Sequence, residues 1–196
     1  RPRGSAALSS MRREEAPVQT DTSRTMLLTL AVSEQSHCLA LPAAADQLEY
    51  AKRSLGIEDF SQARITGIEY TAPYLEQLIP MDGVTVEGAD KMALCLQQLK
   101  ADGEIMKYCA ALEAEEPSTF SRALDMGMGI DNYELVTDNE RAYGREELLD
   151  TIDGYTDFEQ LGRAMMEEDG VRLTEFGLVR RLDRPFPEPE IGPTMG

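Results

Sequence analysis

Apolar residues recur along this chain with two different periods, and the switches between them outline its elements. The run MLLTLAV at 26–32 is short, apolar and β-prone, which predicts a strand. Pro42 follows, and its fixed φ and missing N–H suit a helix start. Leu41, Ala45, Leu48, Ala51 and Leu55 then fall three and four apart, predicting one amphipathic helix that stops at Gly56. Over 64–71, Ile65, Gly67 and Glu69 alternate against Thr66, Ile68 and Tyr70, the period of a second strand. This first unit ends near Pro80.

From Val86 the period becomes helical. Met92, Leu96 and Leu99 share a face, with Ala89, Ala93 and Cys95 beside it; Asp102-Gly103 predicts a turn into a second helix through Ile105, Cys109 and Leu112. Pro117-Ser118 opens a third helix, with Phe120, Ala123 and Leu124 inward and Gly127 as its stop. A strand at 132–136 (NYELV), a helix from about Asn139 to Leu149, and a helix carrying Phe158, Leu161, Met165 and Met166 to a stop at Gly170 come next. Residues 172–182 read as a last strand or hairpin arm. Met92, Met106, Met126, Met165 and Met166 occupy apolar helical positions, so core filling is expected of them.

The fold class expected from this order is α+β, an elongated chain of three small units: α+β over 26–80, helical over 81–130, and acidic α+β over 131–183. Residues 1–25 lack periodicity and read as a flexible leader. Residues 184–196 (RPFPEPEIGPTMG) are proline-rich and read as an extended or disordered tail.

Charge changes the picture. The chain has 196 residues, 36 acidic and 19 basic side chains, and a formal net charge of −17. The leader is the exception at +2; residues 26–131 hold 17 acids and 7 bases, and residues 132–196 hold 16 acids and 7 bases, so the acidity belongs to the whole body. Direct binding of DNA or RNA needs a basic face that releases phosphate counterions, and this balance argues against it. The 42% hydrophobic content supports a core.

Catalytic and metal chemistry is sparsely provided for. His37 is the single histidine, and its neighbour Cys38 points to the opposite face of any strand. Cys38, Cys95 and Cys109 show no CxxC spacing, which predicts free thiols in a reducing cytosol rather than disulfides or zinc. There is no GxGxxG, GxxxxGK[ST], GxSxG or EF-hand pattern, and no apolar run of membrane-spanning length. We therefore expect a non-enzymatic, cytoplasmic protein without cofactor, metal or membrane.

The acids of the last third are the candidate site. Asp131, Glu134, Asp138, Glu140, Glu146, Glu147, Asp150, Asp153, Asp157, Glu159, Glu167, Glu168 and Asp169 recur every few residues. Carboxylates three or four apart on a helix lie about 5–6 Å apart, and alternate strand positions about 6.6 Å apart. Those intervals approach the phosphate spacing of a duplex, so such a surface substitutes for DNA in a basic groove. The competing reading is an ordinary solvated face.

Several segments carry a family resemblance: LALPAAADQLEYAKRSLGIED, ITGIEY, KMALCLQQL, YCAALEAEEPSTFSRALDM and, most specifically, IDNYELV followed by YGREELL, with Asp131, Asn132, Tyr133, Tyr143 and Gly144. In that order, over about residues 26–170, they resemble the ArdA antirestriction family of bacterial mobile elements. ITGIEY stands where the family has an IHDYE-like sequence, and the chain continues past Gly170. The resemblance implies an elongated, often dimeric DNA mimic that occupies the groove of a basic DNA-binding complex, a type I restriction-modification enzyme. It makes these thirteen acids of the last third the partner surface and gives Tyr133 and Tyr143 packing roles. An anti-CRISPR or other anti-defence inhibitor, and an acidic structural adaptor without mimicry, are the alternatives.

Overall fold

A computed structural model describes residues 24–72, 74–137 and 158–187. Strand β1 (Met26–Val32) turns through Ser33-Glu34 into β2 (Gln35–Leu41), and helix α1 (Ala45–Leu55) leads to β3 (Arg64–Tyr70). A single-turn α2 (Leu75–Leu78) precedes three longer helices, α3 (Val86–Ala101), α4 (Ile105–Glu115) and α5 (Phe120–Met128). Strand β4 (Tyr133–Thr137), helix α6 (Phe158–Asp169) and the hairpin β5 (Val171–Thr174) and β6 (Gly177–Arg181) complete the described chain. The fold is α+β, with two antiparallel three-stranded sheets ordered β2-β1-β3 and β4-β6-β5.

The first sheet follows from alternation along β1. Met26, Leu28 and Leu30 face inward and are fully buried, while Leu27, Thr29 and Ala31 face the other way and are half-buried. Leu39 and Leu41 of β2 and Ile68 and Tyr70 of β3 continue the inward layer. Burying each such side chain contributes about 1.5–3 kcal/mol. Helices α1 and α3 cover this face. Helix α3 starts because Thr85 Oγ1 accepts the Gly88 N–H at 3.0 Å, and α5 because Thr119 Oγ1 accepts the Arg122 N–H at 3.2 Å. Asp90 of α3 also takes the Ala43 N–H at 2.8 Å, tying the helix to the β2–α1 bend.

The second sheet lies between two helical layers. Tyr133 and Val179 belong to the core that includes α3, α4 and α5, whereas Leu178 and Val171 pack with Met166 and Met165 of α6. One buried cluster runs from Met26 through Tyr108 and Phe120 to Val179 and Phe186, so the boundaries expected at 80 and 130 mark no break in the core.

Several expectations need correction. Strand β2 was not foreseen. Leu41 belongs to it rather than to the helix, and Pro42, after a cis Leu41–Pro42 peptide, sits in the bend ahead of α1 instead of at a helix start. Ala45 is exposed, so the buried face of α1 reduces to Ala51 and Leu55 with Leu48 half-buried. Gly127 does not stop α5. It lies in the helix, where a Cβ would come within 2.8 Å of Cys95 Sγ, and the cap is Gly129, whose N–H reaches Asp125 O at 3.0 Å. Phe186 lies within the expected tail yet is buried against Tyr133. Arg24 and Thr25, placed with the leader, join the fold: the Thr25 N–H donates to Leu41 O and its carbonyl accepts from Thr71 N, both at 3.0 Å. The helix expected over 139–149 lies outside the described residues.

The second sheet is fastened to the last turn of α4 by a buried ionic cluster. The Glu115 side chain is 2% exposed; its Oε2 accepts from Arg122 at 2.6 Å, and its Oε1 accepts from Tyr133 Oη at 2.6 Å and from Arg181 Nη1. Arg181 is 6% exposed, lies 5.2 Å over the Tyr133 ring, and also donates from Nε to Asp183 at 2.5 Å. Removing one member of such a cluster strands buried charge at a cost of about 3–5 kcal/mol. Glu115→Ala should therefore lower the unfolding free energy by about 3 kcal/mol or more in urea titration. Glu87→Ala, which deletes the exposed Lys91 pair, should shift the urea midpoint far less than Glu115→Ala does.

Candidate partner-binding surface

Six of the candidate carboxylates lie among the described residues: Asp131, Glu134, Glu159, Glu167, Glu168 and Asp169. All six are exposed. Asp138, Glu140, Glu146, Glu147, Asp150, Asp153 and Asp157 lie outside the described residues, as does Tyr143. Asp131 occupies the turn Ile130–Asn132 that enters β4, and Glu134 is on β4 itself. Glu134 is engaged by Arg180 of the neighbouring β6 at 2.6 Å, and Glu159 pairs with Arg163 one turn along α6. Those two acids are partly neutralised within the chain.

Glu167, Glu168 and Asp169 occupy the last turn of α6, which contains no basic residue. A helix C-terminus carries partial negative charge, so acids there lose roughly 0.3–1 kcal/mol each instead of gaining it. Glu167 and Glu168 have no ion pair among the described residues. Helix α4 also ends in acids, but there the fold uses them. Besides the Glu115 cluster, Glu113 accepts the Glu175 N–H at 3.0 and 2.9 Å, and Arg172 donates to Ala114 O and to Pro187 O. Arg172 also sits 4.9 Å over the Phe186 ring. Tyr133, expected to pack, is buried; burial and the hydrogen bond to Glu115 hold its phenol well above the ordinary range, so it stays a donor.

His37 and Cys38 point to opposite faces of β2: His37 Nδ1 lies 3.1 Å from Ser54 Oγ and its ring meets Tyr50 edge-on, whereas Cys38 Sγ faces Thr29 Oγ1 at 3.9 Å. All three cysteines are free. Burial, with the nearby Glu113, pushes the Cys109 thiol up to about 12, leaving it protonated and unreactive at neutral pH. Among the described residues no three His, Cys, Asp or Glu side chains converge as metal ligands, and no helix is long and apolar enough to cross a membrane. Of the five core methionines, Met92, Met126 and Met166 are buried and Met165 half-buried, but Met106 is 47% exposed. Tyr108, Cys109 and Leu112 take the inward face of α4 and turn Met106 out.

Exposed Met106 leads to a feature that sequence reasoning missed. A cleft of about 890 Å³ opens between the start of β1, the loop from β3 into α2, the end of α3 and the start of α4. Leu75, Leu96 and Ile105 form its floor, and Arg24 and Lys100 lie at its edge. Its walls come from three stretches, 24–25, 71–75 and 96–106, that are separated in sequence, so no local pattern announced it. A smaller groove of about 400 Å³ adjoins it across Gly103 and Met106 and is edged by exposed Leu135 and Leu182. Compared with known protein families, curated proteins and solved structures, the chain matches none.

Burial holds the His37 imidazole below its ordinary value of 6.5. The unfolded chain therefore takes up this proton first: the contribution is complete above pH 6.5 and declines as pH falls through the folded value. The stability difference between wild type and His37→Gln should shrink between about pH 7 and pH 5 in urea titrations, with the wild type losing more.

Proposed function

We propose that the protein is an antirestriction DNA mimic that inhibits type I restriction-modification enzymes by occupying their DNA-binding groove. One observation carries this reading beyond the resemblance. The acids Glu167, Glu168 and Asp169 crowd the negative end of α6, where the helix dipole repels them. A residue pattern that works against its own fold at an exposed place is expected at a functional surface. A groove rich in Lys and Arg relieves that repulsion and releases counterions as it does on DNA. The placement of some cations agrees: Arg181 is drawn into the Glu115 cluster and Arg172 onto backbone carbonyls, so neither offsets the exposed carboxylates.

An acidic adaptor is the second reading, and the exposed apolar residues Met106, Leu135 and Leu182 around the smaller groove favour it. An adaptor held by that strip binds at high salt; a mimic does not.

The test is equilibrium binding to a purified type I methyltransferase with duplex DNA as competitor. Mimicry predicts full mutual competition and a loss of at least tenfold in affinity between about 0.05 and 0.2 M salt. Glu167→Gln alone should change affinity by less than about twofold because the field is shared, while Asp131, Glu167, Glu168 and Asp169 changed together to amides should cost about tenfold or more. Simultaneous binding of DNA and protein to the enzyme refutes the proposal. Retention of another host defence nuclease instead of the methyltransferase from the same host moves the target while keeping the mimicry.

A further inference from the structure

The large cleft departs from the rest of the surface in both polarity and charge. Its floor is apolar, made by Leu75, Leu96 and Ile105, with Tyr74 and Met106 flanking it. At about 890 Å³ it falls within the size range of small-molecule sites, which combine apolar walls with a few fixed polar groups. Its two charged residues are both cations, on a chain whose formal charge is −17, and Thr25, Thr71 and Gln97 are its neutral polar groups. Lys100 has no ion pair among the described residues, and the contact of Arg24 with Glu69, at 3.9 Å between two exposed side chains, is loose.

The cleft is held in shape by backbone bonds at its edges. Thr71 Oγ1 donates to Arg24 O at 3.1 Å and to Thr25 O at 3.0 Å, fixing the chain that carries Arg24. The turn after α3 closes through Gly103 at φ +75°, with the Glu104 N–H donating to Leu99 O at 2.8 Å. Tyr74 is braced from outside by the Phe176 ring, whose centroid lies 5.8 Å away.

We propose that this cleft binds an acyl carboxylate, with the hydrocarbon chain on the Leu75, Leu96 and Ile105 floor and the carboxylate at Lys100 and Arg24. An apolar ligand alone leaves Lys100 without a counter-charge and Arg24 with only the loose Glu69 contact, and a small inorganic anion leaves the floor wet. A molecule carrying both a chain and one negative group satisfies the two together. This inference is independent of the mimicry reading, since the cleft lies on the first sheet and α3 and not on the acids of the last third.

The chain's overall charge makes the test discriminating, because the whole-protein field attracts cations and repels anions. Isothermal titration of the full chain with dodecanoate, dodecanol and dodecyltrimethylammonium, each below its aggregation limit, compares three head groups on one tail. Dodecanoate should saturate a single site, with dodecanol weaker by about tenfold, the value expected of a charge-assisted contact. Lys100→Gln should abolish the preference over dodecanol, and Lys100→Glu should reverse it. Met106→Trp, at an exposed position that leaves the core intact, should block the mouth and weaken both ligands by at least fivefold. Equal or tighter binding of the cationic probe, an unchanged dodecanoate affinity in Lys100→Glu, or unaltered binding in Met106→Trp each overturns the proposal.

Discussion

The second sheet depends on one buried carboxylate. Glu115 ends α4 at a place where a negative charge opposes the helix dipole, and three donors from α5, β4 and β6 converge on it. Buried Arg181 and the buried Tyr133 phenol would be costly without it, and it would be costly without them and the partly exposed Arg122, so the cluster forms only when the helices and the sheet are docked together. The neighbouring residues extend the same attachment. Arg172 takes the Ala114 carbonyl and covers Phe186, and Glu113 takes the Glu175 N–H. Because β4 and β6 are held in this way, Asp131 and Glu134 are presented from a fixed sheet.

The same arrangement divides the charges of the molecule. Arginines that would otherwise dilute a negative surface are turned inward or laid across strand neighbours, as with Arg181 to Glu115 and Arg180 to Glu134. Glu167 and Glu168 at the end of α6 have no ion pair among the described residues, unlike Glu134 and Glu159, and so support the proposed mimicry better. The cleft near Arg24 and Lys100 is a second local exception, positive where the surroundings are negative. An acidic protein with one cationic apolar recess presents two separate surfaces to two different chemistries.

Much of the secondary structure was legible because the periods were clean. The alternation in β1 and β3, the three- and four-residue spacing of Met92, Leu96 and Leu99, and the Asp102-Gly103 turn were recovered nearly to the residue. Strand β2 escaped because its outer half, Gln35 to Cys38, is polar, and because the turn before it uses Ser33 at φ +53° in place of the usual Gly or Asn. Gly127 misled for the opposite reason: a glycine near a helix end suggests a cap, but here its missing side chain admits Cys95 and Tyr108.

By itself, the sequence determined the α+β class, the negative charge of the body and the lack of recognisable catalytic spacing, since each is a property of local pattern or composition. Only the tertiary structure decided that Glu115 is a buried hub among so many similar acids, that Met106 faces out, and that Arg24 and Lys100 line one largely apolar cleft. Those outcomes depend on which segments distant in the chain are brought together. A carboxylate or a methionine carries no local mark of the neighbours that will surround it.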